Sequence, residues 1–306
     1  WAKHKPWRAC RCSGYSWPAG FSADRADAMA ADMDVKGEAS AEREKDPEYL
    51  LTLERGLTVL RAFNQQRPEM QLSEVATATG LSPAVARRCL NTLVALGYVG
   101  RHGRRFLLRP EVLVFGSAYL ASMNLEQVVT PHLQSLRDET GDSASMATLS
   151  GHDILYLVHV STNRHIRLGA SVGTRYPAHA TSLGKVLLAY EPERPLAAYL
   201  TGATLTRFTE RTITNRDELT ARLDRVRELG YDSALDELDY GIVSVAVPVR
   251  DKDGNVCAAI NCSTSTTRIS QDELVRTRLP LLRRAARDIE VSLQQWPFLM
   301  HSLARN

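Results

Sequence analysis

Residues 80–99, GLSPAVARRCLNTLVALGYV, decide the fold, because they set two adjacent arginines into a segment with the apolar period of a packed helix. Ser82 stands as an N-cap, Pro83 as the first helical residue and Gly97 as the terminator. Phased with Val85, Cys89, Leu93 and Leu96 inward, the helix leaves Ala84, Arg87, Arg88 and Asn91 on its other faces. Just upstream, QLSEVATATG (71–80) reads as a short helix with Ser73 as N-cap, Leu72 stapled onto Val75 and Ala76, and Gly80 as C-cap glycine. Two helices joined by so short a turn have helix-turn-helix geometry. A first helix, TLERGLTVLRAFNQ (52–65), carries Leu53, Leu57, Leu60 and Phe63 at helical spacing and is ended by QQRPE.

After Gly97, YVGRHGRRFLLR (98–109) alternates around His102-Gly103 as a two-stranded hairpin whose tip carries Arg101, His102, Arg104 and Arg105. A recognition helix followed by a basic hairpin is a winged helix-turn-helix: the helix enters the major groove and the wing touches phosphates or the minor groove. The plainer reading of these arginines is a solvated helix face. Charge separates the two. Residues 49–108 hold eight basic side chains against three acidic (+5), whereas 1–48 and 109–306 each carry −1 of the net +3. A small basic unit on a near-neutral body points to a polyanion at one end, here double-stranded DNA.

These patterns divide the chain into a disordered leader (1–48), a winged helix-turn-helix unit (49–108), a linker helix (109–123), an effector domain (124–300) and a tail (301–306). The leader has no helical or strand period and no apolar signal-peptide core. The chain opens on Trp1, and Met29 or Met33 is the expected biological start. The linker, opened by Pro110, has a broad apolar surface in Val112, Leu113, Phe115, Gly116 and Tyr119, which suits a dimer interface or packing on its own chain. A second helix over 125–140 buries Val128, Leu133 and Leu136.

From Asp142 onward strands mix with helices. SASMATLSGHDILYLVHVST reads as a hairpin turning at GHD, HIRLGASVG continues the strand signal, and TSLGKVLLAY is a short helix. TNRDELTARLDRVRELG is an amphipathic helix capped by Thr214 or Asn215; GIVSVAVPVRD and NVCAAINCST flank KDG as a hairpin, and a long helix follows. The fold class is α+β.

Thr181 or Ser182 caps the helix of PAHATSLGKVLL, whose first free N–H groups form an anion site suited to a carboxylate. Asn261 and Ser263, two apart, face one side of the last strand. Arg167 is either a carboxylate clamp or a surface arginine, and His179 either a ligand contact or a satisfied structural histidine.

Enzymatic and metal chemistries find little support. HATSLGK resembles the end of a phosphate-binding loop, but His179 stands where the glycine belongs and Val186 where a hydroxyl belongs. No HExxH motif or CxxC pair offers metal spacing, and no cofactor is expected. Cys10 and Cys12 have no partner pair, and Cys89, Cys257 and Cys262 fall on apolar faces as core residues; the usage fits a reducing cytoplasm. The apolar run 112–124 is too short to span a membrane. The competing function is a small-molecule enzyme with an N-terminal interaction module, for which no paired nucleophile and base speaks.

Together TLERGLTVLRAF, QLSEVATATGLSPAVARRCLNTLVALGYV, VGTRYPAHATSLGKVLLA and SVAVPVRDKDGNVCAAINCS resemble the IclR family of bacterial transcriptional regulators, from about Tyr49 to the last helix. GYVGRHGRRFLLRPEVLVFGSAYL is similar to the subgroup controlling aromatic-acid catabolism through the β-ketoadipate pathway. The resemblance implies a winged helix-turn-helix, a dimerising linker helix and a GAF-like mixed α/β domain binding a small carboxylate effector. It also implies a dimer or dimer of dimers on a palindromic operator. Its pocket positions fall here on Ser182 and Leu183, Ser244, Asn261 and Ser263; an acidic position is matched by Ala234, with Asp236 or Glu237 as substitutes. The candidate DNA-binding residues, read from the helix-turn-helix and the wing, are Ser73, Ser82, Pro83, Ala84, Arg87, Arg88, Asn91, Arg101, Arg104 and Arg105.

Overall fold

Three helices meet at the N-terminal end of the computed structural model, which describes residues 47–64, 66–162, 170–296, 299 and 302–303. The expected leader, apart from residues 47 and 48, and Cys10, Cys12, Met29, Met33 and Arg167 lie outside these residues, as does the tail except Ser302 and Leu303. Helices α1 (Leu51–Arg61), α2 (Leu72–Thr79) and α3 (Pro83–Ala95) pack around Val59, Phe63, Val75, Ala86, Cys89, Leu90 and Leu93. Leu53 and Leu57, expected inside, are exposed. The buried arc of α3 is Ala86, Cys89, Leu90 and Leu93. At 3.6 residues per turn that arc leaves Val85 at its margin and Leu96, expected inside, 62% exposed.

A strand that the sequence pattern did not announce, β1 (Glu69–Gln71), joins β2 (Val99–His102) and β3 (Arg105–Leu108) in the antiparallel order β1-β3-β2. It also moves the start of α2. The chain passes straight from strand to helix at Gln71, whose N–H donates to Glu74 Oε2 at 2.6 Å, so Ser73 lies inside the first turn rather than at the N-cap. Gly80, at φ 66°, ends α2 as expected. The wing closes His102 onto Arg105 through Gly103-Arg104.

A 3₁₀ turn (Pro110–Val112) leads into α4 (Leu113–Met123), on which Leu113, Val114 and Phe115 are exposed. Tyr98 stacks on Phe115 at 5.3 Å. Left-handed Asn124 (φ 49°) then breaks the helix. The single helix expected over 125–140 is split into α5 (Leu125–Val128) and α6 (Thr130–Thr140), because Pro131 has no N–H to continue the ladder.

Six antiparallel strands follow: β4 (Ser143–Ser150), β5 (Asp153–Val160), β6 (Arg175–Pro177), β7 (Asp232–Leu235), β8 (Ile242–Arg250) and β9 (Val256–Ser265), in the order β6-β5-β4-β9-β8-β7. The hairpins at GHD and KDG form as expected. Of HIRLGASVG, residues 165–169 lie outside the described residues and Ala170–Gly173 form no strand; the pairing comes from β6 instead. Helices α7 (Ser182–Ala189), α8 (Glu193–Gly202) and α9 (Arg216–Leu229) lie between β6 and β7, and α10 (Gln271–Gln294) closes the chain. Helix α8 was not anticipated. Asn215 caps α9, accepting from the N–H groups of Asp217 and Glu218.

The two sheet faces differ. One, with Val243, Val245, Val247, Ile260 and Cys262, packs against Leu133, Leu136, Leu282 and Ile289 of α6 and α10. The other, with Ala147, Ala246 and Ala259, receives Leu183, Val186, Leu219 and Leu223 of α7 and α9. Cys89, Cys257 and Cys262 are buried free thiols, and burial pushes Cys257 up to about 12, so they are core residues. Among the described residues no helix is long and apolar enough to cross a membrane.

Candidate functional site

Ser82 begins α3 by accepting the Val85 N–H at 3.4 Å, and Pro83 follows at the first helical position. The turn from Gly80 to Ser82 therefore sets the angle at which α3 leaves the body. Ser73, Ser82, Pro83, Ala84, Arg87, Arg88 and Asn91 are all exposed. In the wing Arg101 and Arg104 are exposed, and the Arg101 guanidinium lies 5.0 Å from the Phe106 ring centre. Arg105 is differently placed: it donates to the Glu69 carbonyl at 3.3 Å and lies 3.6 Å from Glu74 and 3.8 Å from Glu69. Those contacts tie the wing to β1 and α2.

The second site is the inner layer between the sheet and α7. Strand register stacks its polar side chains in two rows. Ser143, Ser263, Ser244 and Ala234 lie side by side across β4, β9, β8 and β7. Two residues along, His159, Ser145, Asn261, Ala246 and Asp232 form the next row across β5, β4, β9, β8 and β7. Asn261 and Ser263 thus share a face, as their spacing required. The small side chains Ala147 and Ala259 continue this face beyond the second row.

Helix α7 is seated on the first row by a hydrogen bond of 2.8 Å between the Ser182 and Ser244 hydroxyls, both buried. Thr181, not Ser182, is its N-cap, accepting the Gly184 N–H at 3.0 Å. The Ser182 and Leu183 N–H groups, at the first two helical positions, have no acceptor within the helix. They and the helix dipole make an end suited to an anion. Leu183 is fully buried beside them.

The remaining residues singled out from the sequence have other partners. His179 Nε2 bonds the Thr206 carbonyl at 3.0 Å and its ring lies 6.0 Å from Phe208, which favours the structural histidine; burial holds its pKa below 6.5. Asp236 has a left-handed backbone (φ 56°) and accepts the Gly241 N–H at 2.7 Å, so its carboxylate shapes the turn before β8.

Beneath α7 lies a buried ionic cluster that the sequence reading did not assemble. Lys185, without exposure, reaches Glu237 Oε2 at 2.5 Å and Asp232 Oδ2 at 3.3 Å, and Arg222 Nε donates to Asp232 Oδ1 at 2.6 Å. Burial raises the Glu237 pKa while Lys185 pulls it back. The sequence reading also missed His159. Its Nδ1 bonds Ser145 Oγ at 2.9 Å, and among the described residues its buried Nε2 has no hydrogen-bond partner, nor has Asn261 Oδ1. Burial lowers the His159 pKa, so the ring is neutral at pH 7. Two clefts open elsewhere, one of about 360 Å³ lined by Arg222, Arg225, Tyr231 and Gln271, and one of about 250 Å³ at His132, Glu139 and Arg284. The first reaches the second polar row only at Asp232, and the second touches neither row. Among the described residues no group of three His, Cys, Asp or Glu is placed to hold a metal.

Residues 52–103 match the family description "IclR helix-turn-helix domain", and residues 117–291 match "Bacterial transcriptional regulator IclR C-terminal". The Pca regulon regulatory protein of Pseudomonas putida is 40% identical over 80% of this chain and 84% of its own length. The p-hydroxybenzoate hydroxylase transcriptional activator of Acinetobacter baylyi is 35% identical over 82% and 94%. A solved protein from Rhodococcus sp. RHA1 shares 44% identity over 81% of this chain and 99% of its own, with a TM-score of 0.66. Both named relatives are regulators of transcription, which decides against the enzyme reading.

Proposed function

The chain belongs to the IclR family of bacterial transcriptional regulators, and from that premise we propose that it controls aromatic-acid catabolism in the cytoplasm through an aromatic or related carboxylic acid effector. Residues Ser82, Pro83, Ala84, Arg87, Arg88 and Asn91 meet base edges in the major groove, with Ser73, Arg101 and Arg104 on the phosphates. Two copies join through the exposed face of α4, as a dimer or dimer of dimers, and read a palindromic operator. The observation that carries the effector reading is the Ser182–Ser244 hydrogen bond, which seats the α7 N-terminus over a row of serine hydroxyls. A ligand carboxylate there accepts from the Ser182 and Leu183 N–H groups, with Ser263 and Asn261 lining the sheet side. The effector then biases how the two α3 helices are placed. The names of the relatives support the aromatic class: one activates expression of p-hydroxybenzoate hydroxylase, the other regulates the pca genes.

The test is binding of the purified protein to DNA upstream of its own gene, titrated with salt and repeated with protocatechuate, 4-hydroxybenzoate and β-ketoadipate. Specific binding that shifts with one compound supports the reading and names the effector. Specific binding indifferent to all three removes the aromatic assignment and leaves the DNA reading.

A further inference from the structure

His159 faces the inner layer because of a break in strand register. Residues three apart on a regular strand point to opposite faces. In β5, however, Tyr156 pairs with Ala147 and His159 with Ser145, and Ala147 and Ser145 share one face. The ladder shifts between Met146 and Ala147, so Leu157 and Val158 both turn to the opposite core. Tyr156 and His159 are thereby brought together, with ring centres 6.2 Å apart at 69°. The bulge aims one imidazole into the effector layer beside an aromatic wall.

What it meets there is an incomplete hydrogen-bond system. Ser145 Oγ holds His159 Nδ1, which fixes the ring and turns Nε2 away from that bond. Among the described residues the row His159–Ser145–Asn261 then carries two buried polar atoms without hydrogen-bond partners, His159 Nε2 and Asn261 Oδ1. Buried polar atoms are ordinarily satisfied, and a pair orphaned on one row facing a ligand layer calls for a group that satisfies both. With the Ser145 hydroxyl donating to Nδ1, Nε2 carries the hydrogen. The missing group must then accept from His159 and donate to Asn261.

Resting on the aromatic-acid reading above, we propose that His159 is a specificity-determining residue which, together with Asn261, selects a ring hydroxyl on the effector. A hydroxyl is both acceptor and donor, so one group can complete the row. An ether or a second carboxylate has no hydrogen for Asn261 and leaves a buried acceptor unpaired. Ser244, beneath the α7 N-terminus, belongs to the neighbouring row, and His159 lies two residues along and three strands across from it, so the ligand must run across the sheet from the helix toward β5.

The experiment is calorimetric titration of the full-length protein with benzoate, 3- and 4-hydroxybenzoate and 4-methoxybenzoate, for the wild type, His159→Leu and His159→Gln. The readout is the ratio of affinities within each protein. The wild type binds at least one hydroxybenzoate roughly tenfold more tightly than benzoate or the methoxy compound. In His159→Leu this ratio falls toward one, and His159→Gln, which keeps a donor, restores part of it. If His159→Leu does not fold, the wild-type series decides alone. Equal wild-type affinities across the series, or a ratio that survives in folded His159→Leu, overturn the assignment and leave the aromatic-acid reading standing. No binding of any of the four overturns that reading and this assignment with it.

Discussion

Lys185 Nζ lies 2.5 Å from Glu237 Oε2, and neither side chain is more than marginally exposed. The contact pins the middle of α7, whose first turn forms the proposed effector end, to the loop that follows β7. Lys185→Met strands two buried carboxylates, Glu237 and Asp232, of which only Asp232 keeps an arginine partner. The expected cost is about 3–5 kcal/mol in urea unfolding. Lys185→Met combined with Glu237→Leu should recover much of that loss, because an apolar pair of similar volume needs no counter-ion.

Gly184 has no room for a side chain. A Cβ there would overlap the carbonyl and Cα of Ala178, backbone atoms of the 3₁₀ turn in front of α7. Gly184→Ala must therefore push α7 away from that turn. The expected loss is roughly 3 kcal/mol, the upper end for overpacking. Effector affinity should fall with it, while specific DNA binding without ligand persists. A variant with wild-type thermal stability and ligand affinity would show that the turn yields freely.

How much of this was legible follows from what each local signal depends on. The helix-turn-helix could be read because Gly80, Ser82 and Pro83 are local punctuation whose meaning needs no distant partner. Its phase was read less well: Leu53, Leu57 and Leu96 are apolar yet exposed, and nothing local distinguishes an apolar surface from a core stripe. Strand β1 escaped because three residues, Glu69–Gln71, carry too short a pattern, and their pairing with Arg105–Leu107 is non-local. In the inner layer, Asn261 and Ser263 were read by strand alternation and by family likeness, and Ser244 by family likeness alone. His159 was missed because alternation sets it opposite Tyr156, and only the bulge reverses that. The Lys185 cluster joins that lysine to Asp232 and Glu237, about fifty residues on and beyond any periodicity.

The exposed apolar face of α4 gives the proposed dimer a direct test. Leu113, Val114 and Phe115 are 66%, 62% and 59% exposed, a patch that water alone covers poorly. Phe115→Asp sets a charge in its centre. The variant should elute as a smaller species in size-exclusion chromatography with light scattering and lose cooperative operator binding. A wild-type protein that is monomeric at micromolar concentration would place no interface there.

The two arginine positions should separate by sequence dependence. Arg88 projects from the recognition helix, and its removal should weaken binding to the operator by about 1–3 kcal/mol if it reads a guanine, with little effect on random DNA. Arg104 sits in the wing turn, where Arg104→Ala should weaken all DNA and lower the salt slope by about one unit. Equal losses on operator and random DNA from both variants would remove Arg88 from base readout.

Acid should loosen the effector domain through its buried histidines. Burial lowers the pKa of both His159 and His179 from 6.5, so the unfolded chain binds more protons than the folded one as pH falls past that value. Stability is therefore fully present above about 6.5 and declines as pH falls from there toward the folded-state values. His159 faces Ser145 and Tyr156; around His179, Lys185 acts in the same direction, and Asp153 and the Thr206 carbonyl act against it. Glu237 has the opposite sign, since its pKa is raised: its contribution is present below 4.5 and is lost as pH rises through the folded value. Comparing urea unfolding of wild type and His159→Gln between pH 5 and 8 cancels the Glu237 and His179 contributions. The variant should show the shallower decline on the acid side of 6.5, and bound hydroxybenzoate should flatten the wild-type curve if its hydroxyl holds His159 neutral. Parallel curves for the two proteins would mean that the His159 imidazole stays reachable by water.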